Sequence, residues 1–441
     1  MGIRTILALV STVLAAAGAG AATAAVPTIV PAAADTAWSL ARCEQAALAA
    51  SPGLAAARAY ADGSRAGADA ADAAHLPVLG LQGSAGYVTE TMTLEVPTAT
   101  GIRHLEFGDG TSAELALGLR APLYTGGRLG AERRAAAAGW RASLADAAGD
   151  SLDLRLQVRQ AYFAALGGEA AAAAARQGEQ RLRRHLAELE ADLAVGTASE
   201  EARLQVLARL RRTEQATLRA EADAAARRYH LGRLVGLPGR QVRPGGDLDA
   251  TLLSADPEGR PWAERHRLQA VTARADAAGH AARAAAGSFL PTVELQGGWH
   301  YGRPGVDPVA NRWMDYGTVG VSLGWTLFDF GVRKSRVQGL RAERRALSAV
   351  RNDVEDALRT REANARTQVE AVRAEAERAR ERMDLEERRL AMAQGRWRAG
   401  HATGSEVLDA QDDVTLAATD LAAARARLRL AEAELLAALG W

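Results

Sequence analysis

An internal repeat limits the folds open to this chain more than any other feature. The segment "LYTGGRLGAERRA" begins at Leu123, and the similar segment "LFDFGVRKSRVQG" begins 204 residues later at Leu327. The same separation relates Gly196 to Gly400. A constant separation over more than about a hundred residues indicates a tandem duplication.

The separation between equivalent residues is larger before Leu115. "LPVLGLQGSAGY" from Leu76 matches "LPTVELQGGWHY" from Leu290 at 214 residues. The extra residues lie between Tyr87 and Leu115, so the first half is predicted to have the longer hairpin loop. The predicted organisation is a signal peptide, a first repeat, a Pro/Gly/Asp-rich linker and a second repeat, at residues 1–24, 25–238, 239–260 and 261–441.

The first residues are typical of an export signal. Arg4 precedes a short apolar run, Thr5–Ala17, and small residues follow. This run is shorter than the roughly 20 residues that a membrane-spanning helix needs. We therefore expect a protein that leaves the cytoplasm and has no helical anchor.

Each half contains two runs in which apolar or small residues alternate with polar ones, as in half-exposed strands. The runs are about 10–13 residues long, which suits tilted membrane strands, and aromatic residues cluster beside them. A soluble sandwich would show the same alternation, with the aromatic residues in its core. The predicted lipid-facing strand residues are Leu115, Leu117, Leu119, Val319, Val321, Leu323 and Trp325.

Four strands cannot close a barrel, and lipid cannot satisfy the hydrogen-bonding groups of an open sheet edge. Spanning strands would therefore require copies of the chain to associate. Three copies would supply twelve strands, and the duplication would give their ring pseudo-sixfold symmetry.

Long helices account for most of the remaining sequence. Residues from Arg128 to Val195 contain no proline, and about 67 helical residues would extend roughly 100 Å. The segment Arg333–Arg398 repeats this length. The shorter helices are predicted to stack end to end in pairs, at Ala37–Ala74, Ser199–Val235, Trp262–Ser288 and Thr403–Leu439.

The last helix shows a heptad pattern. Large residues recur every seven positions from Val407 to Leu435, and alanine falls three residues after each. Charged residues that include Arg429 and Glu432 are predicted to form a solvated opposite face.

Several function classes lack support in the sequence. The net charge of +1 provides no basic field for nucleic acid. The eight histidines are scattered without metal-ligand spacing, and the single cysteine, Cys43, cannot form an internal disulfide. We therefore predict no enzymatic activity, no cofactor and no metal site.

Together these motifs resemble the outer-membrane efflux protein family, the TolC-like channels. The resemblance rests on the paired "LP" strands, the paired "L-(Y/F)-x-x-G" exits, "SPGL" from Ser51 and "RWRAGHATGSEVLDAQ" from Arg396. It implies an α+β membrane channel: a homotrimer with a twelve-strand β-barrel in outer-membrane lipid, continued by an α-helical periplasmic tunnel. The implied partners are a periplasmic membrane-fusion adaptor and an inner-membrane RND or ABC exporter, in a tripartite efflux pump or type I secretion system of a Gram-negative-type envelope. The alternative is a periplasmic coiled-coil adaptor or structural protein.

Three groups of candidate site residues follow. Glycines at the hairpin exits, Gly126, Gly127 and Gly331, are predicted to form tight turns; Phe330 replaces a glycine often found there in the family. The helix interruptions are predicted to dock the adaptor, although they could be helix turns only; they comprise Val195, Gly196, Thr197, Ala399, Gly400 and His401.

The third group is acidic. Glu406 and Asp409 lie three residues apart and share a helix face. The resemblance implies that they ring the periplasmic entrance as a gate. They could instead be solvated charges at the start of a helix, where acidic side chains interact favourably with the helix dipole.

Overall fold

The computed structural model describes residues 37–441 except 91, 99–100, 108, 254–256 and 308–310; the predicted signal peptide lies outside the described residues. The helices are α1 Leu40–Ala50, α2 Pro52–Ala73, α3 Arg128–Ala194, α4 Glu200–Leu234, α5 His266–Gly287, α6 Val332–Arg398 and α7 Gly404–Ala438. The strands are β1 Val78–Tyr87, β2 Met92–Thr98, β3 Gly101–Phe107, β4 Thr111–Tyr124, β5 Thr292–Arg303 and β6 Met314–Gly324.

The two long helices have the predicted length. Both α3 and α6 contain 67 residues, and each begins directly after a glycine with positive φ. The shorter helices meet end to end as expected. Gly236, after α4, lies against Ala50 at the end of α1, and Arg265, before α5, donates to the Ala438 carbonyl at 2.9 Å.

The first predicted helix is divided into two. Ser51 separates α1 from α2, and its hydroxyl accepts from the Leu54 backbone N–H at 3.3 Å. Pro52 follows as the first residue of α2, where its missing N–H leaves no helical hydrogen bond unmade. The serine cap and the proline therefore explain the break.

The four predicted strands form one antiparallel sheet in the order β1-β4-β5-β6. This is the predicted pair of hairpins, joined by pairing between β4 and β5. The longer loop of the first half is itself a hairpin, in which β2 pairs with β3 as a separate two-stranded sheet. Alternation in its own sequence, such as Leu94 beside Glu95 and Val96, explains why it is not an irregular loop.

The heptad pattern of α7 forms a buried seam. Val407, Val414 and Leu435 are at most 3% exposed, and the intervening alanines are buried with them. The predicted solvated face needs a correction, because Arg429 and Glu432 are 5% and 1% exposed.

The segment between the repeats explains this burial. Glu432 accepts hydrogen bonds from the Thr251 hydroxyl at 3.0 Å and the Leu252 backbone N–H at 2.9 Å. It also pairs with Arg429 at 2.8 Å. Val242 and Leu248 of the same segment are buried in a cluster with Tyr162. The segment is thus packed onto the helices, with a charged pair beneath it.

Candidate functional site

The register of the sheet places the predicted apolar residues on one face. Leu117 lies opposite Leu81 on β1 and opposite Trp299 on β5. Two residues farther along β4, Leu119 lies opposite Leu79 on β1 and opposite Gly297 on β5. Gly297 in turn lies opposite Val319 on β6. The predicted lipid-facing residues within β4 and β6 are exposed, from 37% at Leu119 to 83% at Val319. Their contact with lipid remains a prediction.

Of the seven predicted lipid-facing residues, Trp325 lies just after a strand, whereas the other six lie within β4 and β6. β6 ends at Gly324, and the Trp325 indole N–H donates to the Phe289 carbonyl at 3.0 Å. The tryptophan therefore marks the end of the sheet next to α5.

The opposite face carries a polar network centred on Glu114. Its carboxylate contacts His300 Nδ1 at 2.6 Å and accepts from the Tyr316 hydroxyl at 3.4 Å. His300 Nε2 lies 3.1 Å from Thr318 Oγ1, and its ring stacks on that of Tyr316. Alternation along each strand puts Glu114 and His300 on the polar face, but their contact depends on the β4–β5 register, which the sequence alone did not provide.

The exits from the sheet are equivalent turns. Gly126 and Gly127 have φ of 60° and 75°, and Phe330 and Gly331 have φ of 55° and 92°. Phe330 therefore adopts the left-handed conformation of its glycine counterpart, which is unusual for a residue with a side chain. Phe330 is 91% exposed, and its ring contacts that of Phe328 with the ring centroids 4.7 Å apart.

The two interruptions between antiparallel helices have the same geometry. Gly196 and Gly400 have φ of 79° and 74°, and each turn is closed by a hydrogen bond across it. Thr197 N donates to the Asp192 carbonyl at 2.9 Å, and His401 N donates to the Arg396 carbonyl at 2.8 Å. Glycine with positive φ followed by such a bond is the common way to end a helix.

The predicted gate residues have partners within the chain. Glu406 completes a capping box with Thr403, and its carboxylate is 3.5 Å from Arg396. Asp409 pairs with Arg209 of α4 at 2.8 Å, and the same guanidinium is 3.1 Å from Asp412. Burial raises the pKa of Asp412, Arg209 opposes this shift, and Asp409 and Asp413 add to it.

Arg209 is the residue that sequence reasoning missed here. It joins α4 to α7, and its charge compensates part of the acidic cluster. The repeat contained a signal, since Arg209 is equivalent to Asp413 and so reverses the charge between halves.

Near the tips, a buried histidine joins the two halves. His185 of α3 is 4% exposed, and its ring meets Trp397 of α6 edge to face at 5.2 Å between centroids. Burial lowers the pKa of His185, with a smaller opposing effect of Glu188.

Within the described residues, none of the helices is both long and apolar enough to cross a membrane. The same part of the chain contains no cluster of three or more His, Cys, Asp or Glu side chains arranged to hold a metal ion.

The sequence matches the model of the family described as "Outer membrane efflux protein" twice, at residues 44–237 and 262–441. The chain belongs to this family. The double match follows the repeat, and it decides against the alternative of a periplasmic adaptor or structural protein. No curated protein sequence is significantly similar to the chain.

Solved structures with the same fold include three outer-membrane proteins. Vibrio cholerae VceC is 22% identical with a TM-score of 0.74, and the match covers 91% of this chain and 96% of that one. The Campylobacter jejuni CmeC channel is 16% identical with a TM-score of 0.76, covering 91% and 85%. The Neisseria gonorrhoeae MtrE channel in its open state is 19% identical with a TM-score of 0.74, covering 91% and 88%. These similarities confirm the predicted fold of the protomer.

Proposed function

We propose that this outer-membrane efflux protein works as a homotrimeric exit duct. The observation that carries the proposal is the four-stranded sheet, which has one apolar face and one polar face and in which, among the described strands, β1 and β6 lie at the edges. Three such sheets joined edge to edge would form a closed twelve-strand barrel and leave no unpaired edge in lipid. In this arrangement the apolar face contacts lipid, and the network around Glu114 lines the lumen.

The helices would continue this barrel as a periplasmic tunnel. We assign residues 25–238 and 261–441 to the two repeats and residues 239–260 to the linker, which the Glu432 contacts hold against α7. The duct is passive, so cargo and energy come from an inner-membrane RND or ABC exporter.

We further propose that the tips dock a periplasmic membrane-fusion adaptor. Val195 is 74% exposed, and no described atom lies within 4 Å of a Cβ built at Gly196 or Gly400. These turns thus present free surface at equivalent ends of both helix pairs. Replacing Gly400 by aspartate should abolish efflux and adaptor cross-linking, whereas the amount of trimer in the outer membrane stays unchanged. Loss of the trimer itself would show that the glycine is needed only for the helix turn.

Fractionation and gel migration test the duct. The protein should be in the outer membrane, migrate as a heat-sensitive trimer, and restore efflux when expressed in a strain that lacks its own copy. The reconstituted protein should conduct ions across a lipid bilayer. Release as a soluble monomer by osmotic shock would contradict the proposal.

A further inference from the structure

The two long helices differ in how much of their surface is covered. In α3, nineteen of 67 residues are buried, whereas in α6 only five of 67 are buried. The neighbours explain the difference. Helix α3 packs against α2 and α4 of its own half and against α5 and α7 of the second half. Helix α6 packs against α5 and α7, so within the described chain it lacks the second set of neighbours.

The repeat identifies what the missing neighbours are. Helices α2 and α5 are equivalent at a separation of 214, and their buried residues correspond, as Leu54 does to Leu268. Helices α4 and α7 are equivalent at a separation of 204. The counterparts of α5 and α7 on α3 are therefore α2 and α4 on α6. In one chain α2 and α4 already lie on α3. An α2 and an α4 that covered α6 would therefore have to belong to a second copy.

The contact between halves shows which residues would meet. Arg274 of α5 pairs with Asp146 of α3 at 2.5 Å. The repeat equivalent of Arg274 is Tyr60, and the repeat equivalent of Asp146 is Val350. Tyr60 is 78% exposed and Val350 is 47% exposed. An ion pair inside the chain thus corresponds to an aromatic and an aliphatic side chain that both face solvent.

Neighbouring positions show the same replacement. The ion pair Arg267–Asp153, at 2.7 Å, corresponds to Gly53 and Ala357, which are uncharged. Farther along, Leu408 of α7 is buried against α3, whereas its equivalent on α4, Leu204, is 51% exposed. Leu385 and Met392 on α6 are also exposed, at 62% and 64%. Apolar side chains therefore follow the uncovered face of α6 and the helices proposed to cover it.

We propose that Tyr60 of one copy packs against Val350 of a neighbouring copy, in a contact equivalent to the Arg274–Asp146 ion pair within the chain. This inference rests on the proposed trimer and adds a contact that determines which helices of neighbouring copies pair. If α2 of a second copy displaced α5 from α3, Tyr60 would lie against Asp146 and leave a carboxylate without its partner. Because the contact within a chain is ionic and the contact between chains is apolar, a ring in which α5 stays on α3 is favoured over one in which α2 of a second copy replaces it.

Cross-linking tests the contact directly. Cys43 is changed to alanine, Tyr60 and Val350 are changed to cysteine, and native membranes are treated with a thiol cross-linker of about 8 Å, close to the distance between packed helices. We expect covalent dimers and trimers on a denaturing gel. The matched control, Asp146→Cys with Arg274→Cys, should link within one chain and remain at the size of the monomer.

The possible outcomes separate this inference from the proposed function. If the native trimer forms but the Tyr60→Cys, Val350→Cys variant gives no covalent oligomer, the contact is wrong and the duct stands. If the unsubstituted chain forms no trimer, both are wrong.

A charge exchange provides a second test. Tyr60→Arg and Val350→Asp should each lower the temperature at which the trimer dissociates. The double variant recreates the ion pair used within the chain, so it should recover most of that loss. A double variant no more stable than the weaker single variant would overturn the inference.

Discussion

At the scale of single residues, Gly126 and Gly127 both have a positive φ but lie in different surroundings. An alanine at either position costs about 1–2 kcal/mol for its left-handed conformation. A Cβ at Gly126 would also collide with the Gly287 carbonyl and lie 2.8 Å from Leu290 Cβ, whereas no described atom lies within 4 Å of one at Gly127. Gly126→Ala should therefore lower the thermal dissociation temperature of the trimer clearly more than Gly127→Ala. Equal effects would mean that the contact with α5 is not tight.

His185 should make the tip region sensitive to acid. Because burial lowers its pKa, the folded protein holds the imidazole neutral, and the unfolded chain takes up the proton first as pH falls below about 6.5. Below that pH the unfolded state binds more protons, so local stability decreases. Protection factors for hydrogen exchange of residues 180–200, which correct for the pH dependence of the intrinsic exchange rate, should be lower at pH 5.5 than at pH 7.5.

A matched pair of variants tests this assignment. His185→Phe retains an aromatic contact with Trp397 and should remove most of the pH dependence. His230→Phe changes an exposed histidine of α4 and should leave it intact. If His185→Phe shows the same loss of protection in acid as the unsubstituted chain, another group is responsible.

The candidate site residues were located by sequence, but their interactions were not. Spacing placed Glu406 and Asp409 on one face of a helix start, yet it could not reveal that Glu406 caps Thr403 or that Arg209 reaches Asp409. Similarly, the heptad pattern identified the apolar seam of α7 and misplaced Glu432. A heptad describes contacts between helices, whereas Glu432 is buried by the irregular segment around Thr251.

At the scale of elements, periodicity predicted the strands and long helices well because each has one continuous period. It failed where a local signal interrupted the pattern. Ser51 and Pro52 split the first helix, and the extra residues of the first half formed the β2–β3 hairpin. The sheet order required more than periodicity, since it depends on the β4–β5 pairing that joins the two hairpins.

The two faces of the sheet should respond differently to charge. Leu117→Arg and Val321→Arg place a cation on the apolar face and should each cost about 2–4 kcal/mol near the middle of the bilayer. Ser322 is the next residue after Val321 and lies on the polar face opposite Glu294. Ser322→Arg should therefore be much milder. Urea unfolding in liposomes measures the difference, and similar losses for Val321→Arg and Ser322→Arg would show that the faces are assigned wrongly.

At the scale of the whole molecule, the duplication makes one chain supply two similar sectors of a ring, and departures from it indicate where the sectors differ. Glu406 and Asp409 correspond to Ala202 and Gln205, so only the second half contributes these carboxylates. In a trimer they would number six around one axis. Arg209 would add three positive charges beside them, so the ring would be acidic but partly compensated.

The final prediction concerns the charge at this entrance. A narrow acidic ring concentrates cations, so a trivalent cation should block single channels of the reconstituted trimer. Glu406→Gln with Asp409→Asn should weaken this block, whereas Arg209→Gln should strengthen it by leaving Asp409 and Asp412 uncompensated. Asp420→Asn, which removes an acid of the same helix that pairs with Arg382, should have little effect. Undiminished block in the double variant would mean that these carboxylates face away from the lumen and serve the start of α7 alone.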